Sequence, residues 1–137
     1  MLTTKLATRL IPAALAVAAT LGFATAPMAR EGGLHRGQAS FYDGDRFAGR
    51  PMANGDRFDP DSNSAAHRTL PLGTVAEVTN LRNGETRTVV IEDRGPYVGG
   101  RVIDVSPRIA QELQMVDEGV VPVEVRPVGQ VPNRGRD

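Results

Sequence analysis

Beyond residue 30, the apolar residues come in short β-branched clusters, each ended within a few positions by glycine, proline or asparagine, and this punctuation is what most limits the fold. Long helices cannot be built from it, whereas short strands joined by turns can. Gly37 to Tyr42 suits a first strand, and Asp43 to Arg68, rich in Gly, Asp, Asn, Pro and Ser without a sustained period, reads as a long ordered loop. Loops of that length in compact domains are usually functional. A Leu70-Pro71-Leu72-Gly73 turn leads to a strand over Thr74 to Asn80. The Asn83-Gly84 pair then favours a hairpin into Thr86 to Glu92. Asp93 to Pro96 ends that strand, and Arg101 to Val105 forms another. Ser106 as N-cap and Pro107 at the first helical position predict one short helix to about Met115, with Ile109 and Leu113 on its buried face. Val120 to Val125 is a last strand, in which Pro122 suggests an edge or a bulge. The fold class is therefore all-β, a small barrel with one short helix. A weak echo between the segments opening at Gly73 and Gly119 hints at two related halves.

The first 29 residues have the pattern of a secretory signal peptide. Lys5 and Arg9 precede an apolar run, Leu10 to Ala24, which is shorter than the ~20 residues of a membrane span and gives way to small residues and Pro27. Cleavage after Ala24, Ala26 or Ala29 is compatible with that pattern. Residues 30–36 then form a short linker, 37–128 the folded domain and 129–137 a tail expected to be disordered. The chain has no cysteine, so no disulfide supports the core and no lipid-modified cysteine follows the leader. The expectation is a soluble periplasmic or secreted protein, monomeric and without a membrane anchor after cleavage. Without Lys5 and Arg9 there remain 14 basic residues against 16 acidic ones. That weakly acidic balance, with no basic run, argues against nucleic acid as a partner.

Two histidines and no cysteine make an ordinary zinc site unlike this chain, and Asp56, Asp59 and Asp61 lack the glycine and terminal glutamate of a calcium loop. No metal and no cofactor is expected. No Gly-x-Ser-x-Gly elbow is present either. The remaining chemistry rests on carboxylates and histidine. Asp93 stands at the polar end of the Val89-Val90-Ile91 run, where a rigid strand presents a side chain to a cleft; it is either a proton donor there or the cap of a turn, with Arg94 a solvated neighbour. Asp104, among β-branched residues, faces solvent or is buried against Arg101 or Arg94. His67 is a proton shuttle, a substrate donor or a surface histidine. Asn54-Gly55-Asp56 reads first as a turn, Gly55 with positive φ. Phe41, Tyr42 and Phe47 are either a sugar-stacking platform or core.

Taken together, six ordered segments carry a resemblance: Gly37-Gln-Ala-Ser-Phe-Tyr, Phe47-Ala-Gly-Arg-Pro-Met-Ala-Asn-Gly-Asp, Ala65-Ala-His-Arg-Thr-Leu-Pro-Leu-Gly-Thr, Val78-Thr-Asn-Leu-Arg-Asn-Gly, Asp93-Arg-Gly-Pro-Tyr and Gly100-Arg-Val-Ile-Asp-Val-Ser. From Gly37 to about Val128 the chain resembles the rare lipoprotein A (RlpA-like) family. That resemblance implies a six-stranded double-psi β-barrel, related to that of expansins, and a lytic transglycosylase acting on peptidoglycan glycan strands stripped of stem peptides. It places the functional acid on Asp93, with His67 and Asp56 beside it, and suggests substrate contacts from Tyr42, Asn54, Arg94 and Asp104. The implied chemistry cleaves the MurNAc-GlcNAc bond and leaves 1,6-anhydromuramyl ends, with one acid/base serving both steps. The rival it leaves open is a non-catalytic, expansin-like glycan-binding barrel. Asp56 is one methylene shorter than the glutamate common in the family, Asp43 stands where glycine is common, and Phe41 where tryptophan is.

Overall fold

The computed structural model describes residues 33–132; the leader expected at 1–29 and the last residues of the tail lie outside the described residues. Six strands follow in order: β1 (His35–Phe41), β2 (Ser64–His67), β3 (Thr74–Asn80), β4 (Thr86–Asp93), β5 (Arg101–Val105) and β6 (Val121–Gln130). They close into a barrel with the neighbour order β1-β5-β2-β4-β3-β6. The pairs β1–β5 and β2–β4 are parallel and the rest antiparallel, which is the expected double-psi arrangement. Replacing each strand by the one three places later leaves that ring unchanged. The sequence echo at Gly73 and Gly119 fits this symmetry, because it precedes β3 and β6, which exchange under it.

Among the described residues there are two short helices, where one was expected. The first, α1 (Gly44–Phe47), lies in the stretch read as loop. Asp43 caps it, its carboxylate accepting from the amides of Asp45 at 3.0 Å and Arg46 at 3.2 Å. None of its residues is buried, so no apolar period announces it. β2 also falls in that stretch. Ser-Ala-Ala-His has no β-branched residue, and it is a strand because β4 and β5 hold it from both sides. The second helix, α2 (Pro107–Glu112), begins as expected, with Ser106 Oγ accepting from the Ile109 amide at 3.3 Å.

Alternation along the strands sorts the core. Ala39, Ala65, Ala76, Val78, Val89, Ile91, Ile103, Val105, Val121, Val123 and Val125 fill the interior, joined by Ile109, Ala110, Leu113 and Met115 from α2 and the turn after it. Asn80 is fully buried among them and is satisfied: its Nδ2 donates to the Leu113 carbonyl at 2.9 Å and its Oδ1 accepts from the Arg82 amide at 2.9 Å. Pro122 lies on neither an edge nor a bulge, since β6 is paired on both sides and Pro122 stands opposite Gln38 in regular register. The bulge of β6 is at Val128, skipped between Pro127 and Gly129. β6 also runs on to Gln130, so the first two residues assigned to the tail are strand. His35 and Arg36, assigned to the linker, begin β1.

Candidate active site

The strand register sets four residues in one row across the barrel wall: Ser40 on β1 opposite Asp104 on β5, Asp104 opposite Ala66 on β2, and Ala66 opposite Asp93 on β4. The two carboxylates are thus two strands apart, roughly 10 Å at ordinary strand spacing, with only a methyl group between them. Ile103 and Val105 on either side of Asp104 point into the core, so the row lies on the outer face.

Asp93 is fixed on both oxygens. Oδ1 accepts from the backbone amides of Ala53 and Arg94, both at 2.9 Å, and Oδ2 accepts from the Tyr42 hydroxyl at 2.7 Å. The residue is thus neither a simple turn cap nor a free carboxylate: two amides orient it and one movable proton donor stands on Oδ2. Tyr42 reaches it from the end of β1, where its own amide donates to the Val105 carbonyl at 3.0 Å. Its ring packs on Phe58 and Phe47, with centroids 4.5 and 5.4 Å away. Burial foremost, then the hydrogen bond to Asp93 and the charges of Asp93 and Asp104, push the Tyr42 phenol far above its ordinary range, so it keeps its proton.

Phe41 packs partly against the core and Phe47 lies against Tyr42 with Arg46 and Arg50 over its ring, so the three aromatics serve in packing, while Phe41 and Tyr42 also line open space. Beside Tyr42 opens a cavity of about 710 Å³, whose walls include Phe41, Ala48, Pro60 and Pro107, with Asp43 and Asp45 at its edge. Apolar walls with carboxylate acceptors suit the apolar face and hydroxyls of a pyranose ring.

Asp104 is partnered through Ser40 rather than directly by an arginine. Ser40 Oγ donates to Asp104 Oδ1, and Arg101 Nη1 donates to Ser40 Oγ at 3.2 Å. Burial raises the Asp104 pKa above its ordinary value, against the opposing pull of Ser40 and Arg101. Arg94 is neither Asp104's partner nor a solvated neighbour: its Nη1 donates to the carbonyls of His67 at 3.0 Å and Leu70 at 2.7 Å, tying the β2–β3 loop to the end of β4.

The Asn54-Gly55-Asp56 turn forms as expected, with Gly55 at φ +92°. Asn54 Oδ1 accepts from the Asp56 amide at 2.9 Å, and its Nδ2 donates to Asp56 Oδ2 at 3.2 Å and to Glu92 Oε2 at 2.8 Å. The exposed Asp56 carboxylate is therefore held on the loop whose Ala53 amide grips Asp93. Glu92 and Ser40 were not legible from the sequence. Glu92 is the extra residue of a β-bulge, since Ala65 pairs with Ile91 and Ala66 with Asp93. Its other oxygen accepts from Ser64 Oγ at 2.6 Å, so it clamps the loop to β2. A bulge of this kind leaves no mark in a run of alternating residues.

Of the three readings open to His67, the surface histidine is excluded, because the side chain is buried. It pairs with Ile103 on the core side of β2, one residue along from Ala66, and its Nδ1 accepts from the amides of Thr69 and Leu70, both at 3.1 Å. Its ring meets that of His35 edge-on, centroids 4.8 Å apart. Burial first, then the positive charges of His35, Arg94 and Arg68, pull its pKa down to about 4. Between about pH 6.5 and 4 the unfolded chain therefore takes up a proton at this position that the folded chain refuses, so stability falls as pH falls across that window. Asp104 works with the opposite sign, its folded form holding a proton to higher pH than the unfolded one. Urea melts from pH 7 to pH 4 isolate the histidine component: the parent should lose stability more steeply than His67→Asn, whose Oδ1 can still accept from the loop amides. Equal slopes would contradict the assignment.

A family profile described as lytic transglycolase matches residues 35–125, the span that contains β1 to β5, the first half of β6 and every residue of the row. The chain belongs to the lytic transglycolase family. A relative from a Nostoc species, named "Probable endolytic peptidoglycan transglycosylase RlpA", is 53% identical over 96 residues, covering 69% of this chain and 26% of that protein. The Neisseria meningitidis protein named "Endolytic peptidoglycan transglycosylase RlpA" is 44% identical over 92 residues, covering 67% of this chain and 38% of its own length. The chain thus spans about a quarter to two-fifths of the length of these relatives. Among solved structures, a Streptomyces papain inhibitor superposes with a TM-score of 0.56 at 25% identity, over 70% of this chain and 94% of its own. A Clavibacter michiganensis expansin superposes with a TM-score of 0.54 at 20% identity, over 70% of this chain and 50% of its own, which speaks for the shared barrel alone.

Proposed function

We propose that this lytic transglycolase-family domain cleaves the glycan strands of peptidoglycan between N-acetylmuramic acid and N-acetylglucosamine, with Asp93 as the acid and base. The observation that carries this reading is the anchoring of Asp93: two amides hold Oδ1, so Oδ2, with the Tyr42 hydroxyl beside it, is the oxygen free to exchange a proton. Protonated on Oδ2, Asp93 gives its proton to the glycosidic oxygen as the muramyl C1–O bond breaks. The resulting carboxylate then takes the proton of the muramyl C6 hydroxyl as that oxygen bonds to C1. The products are a strand with a 1,6-anhydromuramyl end and a strand with a free GlcNAc 4-hydroxyl, and Asp93 is returned protonated. Water enters neither step, so a second carboxylate is not needed to activate it. The cavity beside Tyr42 would hold a sugar ring, and Tyr97, 76% exposed in the loop after Asp93, offers an open aromatic face to another. Asp56, held by Asn54 over the same loop, would accept from sugar hydroxyls. The relatives' names and the leader pattern agree with this reading, since peptidoglycan lies beyond the cytoplasmic membrane.

The test is to incubate the purified protein with amidase-stripped glycan strands and follow their length by size-exclusion chromatography. Internal cleavage shortens the strands early; retention of the strands on the protein without shortening would favour the binding-only, expansin-like barrel. Tyr42→Phe provides a finer check. It removes the hydroxyl from Oδ2 while keeping the ring on Phe58, so kcat should fall about ten- to a hundredfold, the range for a hydrogen bond to a charged group, with KM little changed. A parental kcat in steady-state assays would show that the Tyr42 hydrogen bond to Oδ2 does not assist the proton transfers.

A further inference from the structure

At the end of the barrel where β1 and β5 begin and β2 ends, a second cavity of about 260 Å³ is lined by His35, His67, Arg68, Thr69 and Val102. His67 is only 4% exposed. Because its Nδ1 accepts two backbone amides, the ring proton must sit on Nε2. That Nε2–H is buried and, among the described residues, has no hydrogen-bond partner. Buried donors are nearly always satisfied, so an orphan at the wall of a cavity is a group that an acceptor would complete.

The charge around it narrows the choice of acceptor. Asp93, Asp104, Asp56 and Glu92 make the neighbouring face acidic, whereas Arg68 lines this cavity and Arg94 is tied to the carbonyls of His67 and Leu70. His67 is itself kept neutral by burial and by those cations, so it donates a proton without adding a charge. A small anion therefore fits best, with one apolar group to lie against Val102.

We infer that this cavity binds the free lactyl carboxylate of a muramic acid residue whose stem peptide has been removed, an inference that rests on the substrate proposed above. The carboxylate would accept from His67 Nε2–H and pair with Arg68, while the lactyl methyl faces Val102. His67 faces the opposite side of β2 from Ala66, but Arg94, the residue after Asp93, donates to the His67 carbonyl at 3.0 Å, so the end of β2 that carries the cavity lies beside the end of β4 that carries Asp93. A stem peptide converts that carboxylate into an amide, removing its charge and adding bulk at the cavity mouth. Selection for stripped strands would then follow from this corner of the barrel.

The test is an imidazole ¹⁵N NMR titration of the purified protein with N-acetylmuramic acid, its methyl ester and muramyl dipeptide, whose carboxylate lies on the peptide instead. N-acetylmuramic acid should shift His67 Nε2 saturably, and the other two should not at the same concentration. Arg68→Gln, a change at an exposed side chain, should weaken that response about tenfold, as expected for loss of a charge-assisted bond. His67→Asn keeps an acceptor for the loop amides and should abolish the affinity at a Tm near the parent's. Equal responses to acid and ester, a response to muramyl dipeptide, or no shift at His67 would each overturn the inference. Failure of the parent reading has its own signature. If carboxyl-methylated stripped strands are cleaved with an unchanged KM, the cavity assignment fails while the activity stands. If His67 answers to N-acetylmuramic acid but stripped strands are never cut, the activity fails while the cavity stands.

Discussion

Asp93→Asn should lower the rate of the proposed glycan cleavage by about 10²- to 10⁴-fold, the usual contribution of a positioned acid or base, while glycan affinity and Tm stay near the parent's. The substitution is nearly isosteric, and the arrangement around the residue tolerates it. Asn Oδ1 still accepts from the Ala53 and Arg94 amides, and Nδ2 can donate to the Tyr42 oxygen that formerly donated to Asp93. What disappears is the exchangeable proton. Cleavage rates measured beside affinity and thermal melts separate the two effects. Parental cleavage by Asp93→Asn would remove Asp93 from its role and turn attention to Asp104, the other carboxylate of the row.

Ile91→Ala should have the largest effect on stability, about 2–5 kcal/mol, the range for deleting a buried Ile to Ala. Ile91 is fully buried two residues before Asp93, opposite Ala65, and its carbonyl accepts from the Gly73 amide at 2.7 Å. With alanine facing it across the pair, little side chain is at hand to refill the space. For a domain of this size the loss corresponds to a fall in Tm of roughly 10–30 °C. Differential scanning calorimetry measures the shift, and a fall of under ~3 °C would mean that the core around β4 relaxes to fill the hole. Because the backbone that carries Asp93 is retained, cleavage well below the new Tm should remain within a few-fold of the parent's.

These two residues also mark what the sequence discloses. β3 and β5 could be read to the residue, and Ser106-Pro107 announced α2, because β-branched runs bounded by glycine and a serine–proline cap are local signals. Asp93 was recognisable as the end of an apolar strand. β2 was not recognisable, since Ser-Ala-Ala-His becomes a strand only through partners more than twenty residues away. The same holds for the row Ser40, Asp104, Ala66 and Asp93, which is made by register between four strands and by no segment alone. Glu92 was hidden because alternation places it opposite Asp93, and only the bulge brings it into the loop clamp. His67 was named for its chemistry, but its side of β2 could be known only once Ile103 was seen opposite it.

Internal ring closure at a single carboxylic acid, as proposed, would break the bond without water. Digestion of amidase-stripped glycan strands in H₂¹⁸O, with the new ends weighed by mass spectrometry, tests it most directly. The expected products are 1,6-anhydromuramyl ends without ¹⁸O, formed by the parent protein and lost with Asp93→Asn. Reducing muramyl ends carrying one ¹⁸O would contradict it, because they would show that water, not the C6 hydroxyl, attacks C1.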